Sequence, residues 1–68
     1  MKVILENVPR ERKIQTIKIV RSVTGYGLKE AKDIVENVPS IIAKGVGLKQ
    51  ALEIEAEFKE TGSIISLK

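Results

Sequence analysis

The 68-residue sequence contains no cysteine, no histidine and no tryptophan, and only one phenylalanine and one tyrosine. Without cysteine there is no disulfide to staple a small core and no thiolate to act as nucleophile or metal ligand. Without histidine as well, the usual ligand sets for structural zinc and for haem are excluded, and the commonest general acid–base is missing. Aspartate occurs once, at Asp33. No apolar run exceeds four residues, so no stretch can cross a bilayer as a helix. No basic segment followed by an apolar one opens the sequence as a secretory leader would. These absences argue against an enzyme. They leave a non-catalytic role without cofactor or metal, in a reducing cytoplasm, as the expectation.

What is present is globular. Apolar residues make up 43% and charged residues 31% of the chain. The length allows one domain, spanning residues 1–68, and a chain of this size buries only about 60% of its unfolded surface. The net charge of +3 is unevenly placed. Pro9 to Lys32 carries a local +5, through Arg10, Arg12, Lys13, Lys18, Arg21, Lys29 and Lys32 against Glu11 and Glu30. Gln50 to Thr61 carries a local −3. A partner that reads the basic side should be acidic.

The periodicities predict β-α-α-β-α-β. Lys2 to Glu6 is a short β-rich run that Pro9 brings to an end. Glu11 to Val23 reads as a helix with Thr16, Ile19, Val20 and Val23 on its inward stripe. Gly25 suits a left-handed cap. Leu28 to Asn37 reads as a second helix, with Leu28, Ala31, Ile34, Val35 and Val38 facing inward. Ser40 to Lys44 is a second strand. Leu48 to Thr61 is a third helix with Ala51, Ile54, Glu55 and Phe58 on one face, stopped by Gly62. Ser63 to Leu67 is the last strand. The fold class is α+β, a two-layer sandwich in which three helices cover one face of a three-stranded sheet.

The first helix carries the most informative surface. Lys13, Ile17 and Arg21 recur at i, i+4, i+8 beside Lys18, so Ile17 is expected to lie exposed among three cations. Two readings fit. Ile17 is a scattered surface apolar residue on a solvated lysine face, or it anchors a small docking epitope with a charged rim. The Gly25-Tyr26-Gly27 segment lacks the third glycine and the preceding strand of a nucleotide-binding loop, so capping and close packing account for its glycines.

Three stretches carry a resemblance. Lys13 to Arg21 (KIQTIKIVR), Thr24 to Glu36 (TGYGLKEAKDIVE), and Val38-Pro39 with Lys44-Gly45-Val46 resemble the C-terminal domain of the bacterial ribosomal stalk protein, the multi-copy acidic protein of the large subunit. The resemblance covers nearly the whole chain and implies the same element order. It implies a non-enzymatic module of the mobile stalk tip, which recruits translational GTPases to the ribosome: elongation factors G and Tu, and related initiation and release factors. Carried over residue by residue, it assigns partner contact to Lys13, Ile17, Lys18, Arg21, Leu28 and Lys32. The epitope reading of the first helix is thereby favoured.

Departures from the family pattern bring further expectations. The family's N-terminal dimerisation domain and hinge have no counterpart, since the sequence opens at the first strand. Either the sequence is one domain of a longer protein or it is a free-standing domain, and a free domain is expected to compete with the stalk for GTPases. Gln15, Thr16, Ile19 and Tyr26 depart within or beside the epitope. Leu48 and Leu52, at i, i+4 where the family is usually polar or acidic, and Ile64, outward on the last strand, form an expected apolar patch for weak self-association or a second partner. Two other function classes remain at this point. One is an adaptor for a different protein, since the Clp protease adaptor has a similar fold, although it needs an acidic pocket. The other is weak electrostatic RNA binding, with only Tyr26 placed to stack.

Overall fold

The computed structural model describes all 68 residues. Strand β1 (Val3–Asn7) occupies the centre of a three-stranded antiparallel sheet of order β2-β1-β3, between β2 (Ser40–Ala43) and β3 (Ile64–Leu67). Its residues alternate: Val3 and Leu5 are fully buried towards the helices, while Ile4 and Glu6 are half-buried on the opposite face. Ile4 lies opposite Ile41 of β2 and Ser66 of β3, and Leu5 lies opposite Ile65. The ladder shifts register between Val3 and Ile4 against β2, and between Leu5 and Asn7 against β3.

Three helices form the second layer: α1 (Lys13–Thr24), α2 (Leu28–Glu36) and α3 (Leu48–Lys59). The first predicted helix differs at its start, because Arg10–Arg12 forms a separate 3-10 turn after Pro9. Its other end is as expected. Gly25 sits at φ +79° and donates its N–H to Arg21 O at 2.8 Å, a left-handed cap. The third helix stops at Lys59, and Gly62 turns the chain into β3 at φ +73°.

Val3, Leu5, Val20, Ala31, Val35, Ile42, Ala51, Ile54 and Phe58 make the core, with contributions from β1, β2 and all three helices. The inward stripes follow the predicted periods, with one correction. Leu28, expected to face inward, is 58% exposed, because it is the first residue of α2 and lies before the stripe that Ala31 and Val35 bury. Two threonines enter the core, each with a partner. Thr16 Oγ1 donates to Arg12 O at 2.8 Å, and Thr61 Oγ1 donates to Phe58 O at 2.9 Å. Ser63 Oγ lies 2.7 Å from Thr61 Oγ1 and 3.4 Å from Thr16 Oγ1, so three hydroxyls stitch α1 to the α3–β3 turn. No buried side-chain polar atom lacks a partner.

Candidate functional site: a basic groove between the first two helices

The turn from α1 to α2 is fixed locally. Thr24 Oγ1 donates to Val20 O at 2.6 Å and accepts the Tyr26 N–H at 3.1 Å, while Ala31 N–H donates to Gly27 O at 3.0 Å. These bonds and the left-handed Gly25 fold α2 back against α1. The face of α1 that meets the α3–β3 turn is held by Thr16, so its far side is turned towards α2 and solvent.

Between the two helices runs a groove of about 320 Å³, lined by Ile14, Ile17, Lys18, Arg21, Leu28 and Lys32. Three apolar side chains form its floor and walls, and three cations stand around it. No carboxylate is among the lining residues. Five of the six residues singled out from the sequence converge here. The sixth, Lys13, is half-buried at the first turn of α1 and does not line the groove.

The position of Ile17 is a correction. It was expected to be an exposed anchor, but it is half-buried and packs against the core. At about 100° per residue, Ile17 lies on the flank of α1 about 100° from the inward Thr16, and α2 covers that flank. The exposed isoleucine of α1 is Ile14, at 73%. Its spacing marks it: Lys18 and Arg21 follow Ile14 at i+4 and i+7, on the same helix face.

The chemistry such a groove supports is association. Apolar floor atoms gain by being removed from water, and three cations steer and orient an acidic surface. There is no nucleophile–base pair in it, and no group of three or more His, Cys, Asp or Glu residues stands together to hold a metal. A second depression, of about 350 Å³ between α1 and α3, is lined by Ser22, Val23, Gln50, Glu53, Ile54 and Glu57 and has the opposite charge.

The predicted apolar patch does not form as one surface. Leu48, Leu52 and Ile64 are all exposed. However, Leu48 opens α3, whereas Ile64 opens β3, after that helix has run its length. At 1.5 Å rise per residue that is a separation of roughly 16 Å along the helix. Ile64 also lies at the Asn7 end of β1, whereas Val46, two residues before Leu48, bonds to Met1 O.

Fold and groove together define a small α+β domain with a solvent-facing basic groove. The sequence model of the ribosomal protein L7/L12 C-terminal domain matches residues 1–68, and the chain belongs to that family. It is 48% identical over 66 residues to the large ribosomal subunit protein bL12c of Cyanidium caldarium, covering 97% of this chain and 51% of that protein. Against the large ribosomal subunit protein bL12 of Caldanaerobacter subterraneus subsp. tengcongensis it is also 48% identical over 66 residues, covering 97% and 52%. With the protein of the same name from Streptococcus mutans it shares 45% over 58 residues, covering 85% and 48%. The chain spans about half the length of the curated relatives it matches. No helix is long and apolar enough to cross a membrane.

Proposed function

We propose that this chain is a non-enzymatic docking domain of the translation apparatus, which binds translational GTPases through the α1–α2 groove. The observation that carries the reading is convergence. Ile17, Lys18, Arg21, Leu28 and Lys32, which the family resemblance assigns to partner contact, line one groove together with Ile14. Family membership and relatives named as large ribosomal subunit proteins support a place on the ribosome. The groove's three cations support a partner with an acidic docking surface, and its apolar floor supports an apolar protrusion on that surface. Elongation factors G and Tu, and the related initiation and release factors, are the proposed partners. Lys13, outside the groove at the head of α1, contributes long-range attraction rather than a contact.

Direct binding to elongation factor G, measured by titration calorimetry at low and at physiological ionic strength, tests the reading. The wild-type chain should bind, more weakly as salt rises. Arg21→Ala and Lys18→Ala should each weaken binding without loss of fold, and normal binding by both at low salt contradicts the groove assignment. Added in excess to ribosomes with intact stalks, the 68-residue chain should slow factor-dependent GTP hydrolysis by occupying the factor. An unrelated RNA bound with a steeper salt dependence than the factor points instead to electrostatic nucleic-acid binding.

A further inference from the structure

The strand order leaves β2 and β3 as the two edges of the sheet. Edge strands are ordinarily guarded by charge, proline or a covering element against pairing with another chain. Pro39 immediately precedes β2. From Gly62 to Leu67, by contrast, there is neither a charge nor a proline.

The backbone of this edge is free in a defined way. Lys2 and Lys68 exchange both backbone hydrogen bonds, at 2.6 and 2.9 Å. By antiparallel alternation the backbone groups of Ser66 then face β1, and those of Ile65 and Leu67 face outward. The side chains of Ile65 and Leu67 point towards the helices, opposite Leu5 and Val3, yet they are only half-buried where Leu5 and Val3 are fully buried.

Above this edge hangs α3, which packs on β3 and β1. Its Gln50, Glu53 and Glu57 flank faces α1. Its opposite flank carries Leu48 and Leu52, which are 58% and 48% exposed.

We propose that the β3 edge and the Leu48–Leu52 ledge form a homodimer interface, in which β3 pairs antiparallel with β3 of a second copy to make a continuous six-stranded sheet. The surface is self-complementary. A twofold axis at Leu52 sets Leu48 of one copy against Ala56 of the other, and Lys49 against Glu55 of the other, opposite in sign. Pairing the strands at the usual spacing of ~4.8 Å brings the two copies of α3 to within ~10 Å, the distance of packed helices. With four-residue strands the association is weak, with a Kd on the order of 0.1–1 mM.

Sedimentation equilibrium from about 20 µM to about 1 mM, combined with hydrogen exchange on the same samples, tests this. The expected result is a monomer–dimer equilibrium in which the amides of Ile65 and Leu67 gain protection as concentration rises. Leu52→Lys should weaken dimerisation at least about tenfold. Glu55→Lys should weaken it as well, and adding Lys49→Glu to that variant should restore it, which separates the interface from any loss of fold. A monomer at all concentrations overturns the proposal. So does a dimer whose Ile65 and Leu67 amides stay unprotected, a failure of the charge swap to restore association, or open-ended oligomers in place of dimers.

Discussion

The α1–α2 face and the outer surface of α3 use similar parts to different ends. Each carries two strongly exposed apolar residues: Ile14 and Leu28 on the first, Leu48 and Leu52 on the second. Each also carries charge, three cations around the first and two carboxylates on the α1 flank of the second. On the first face, two helices folded back on each other bring the apolar residues to one groove and set three cations around it. On α3, a single helix splits the same ingredients between flanks, with carboxylates towards α1 and leucines towards the β3 edge. A concave site with apolar floor and charged rim therefore depends on the turn that joins two helices, and composition alone does not produce it.

The largest expected effect is on what the two faces share. Phe58→Ala removes a fully buried ring beneath α3 and should cost about 3–5 kcal/mol of stability. In a domain this small that should melt both faces together, in one transition by circular dichroism. Retention of the α1–α2 groove after loss of α3 structure would show that the faces are independent.

Smaller effects should separate the faces. Arg21→Ala and Lys18→Ala should each cost about 1–3 kcal/mol of GTPase binding at low salt, with the melting temperature nearly unchanged, because both residues are exposed. The corresponding change on α3, Leu52→Lys, should leave GTPase binding unaltered. Gly25→Ala should cost about 1–2 kcal/mol of stability. Nothing crowds a Cβ there, so the whole cost is the left-handed dihedral. Because that cap sets α2 against α1, factor binding should fall further than the melting temperature predicts.

The two isoleucines give the smallest and most discriminating contrast. Ile17→Ala should cost about 1–2 kcal/mol of stability as well as binding, since the side chain is half-buried against the core. Ile14→Ala should cost binding and almost no stability. Equal melting temperatures for the two variants would place Ile17 back in solvent.

These residues also show what the sequence makes legible. All six elements, their order and the core stripes of Thr16–Val20, Ala31–Val35 and Ala51–Ile54–Phe58 follow from period and turn residues, because each of these stripes faces a single layer. The flanks of the helices do not follow in the same way. Period locates the middle of a buried stripe, but whether a residue about 100° away is covered depends on a neighbouring helix that period does not place. For that reason Ile17 is half-buried where the stripe predicts exposure, and Ile14 is exposed in its stead. Leu28 fits the spacing of the stripe but lies one turn before its first buried member, Ala31, and so stays exposed. The Leu48, Leu52 and Ile64 patch does not form for a related reason: the residues are alike in exposure, but the topology holds Leu48 and Ile64 at opposite ends of α3.

An NMR titration of the labelled chain with unlabelled elongation factor G tests the functional reading most directly. The account predicts that perturbed amides cluster on α1 and the first turns of α2, around Ile14, Lys18, Arg21, Leu28 and Lys32, and that the perturbations shrink as salt is raised. Perturbations centred on α3 or on the open face of the sheet, or none at concentrations where intact stalk binds, contradict it.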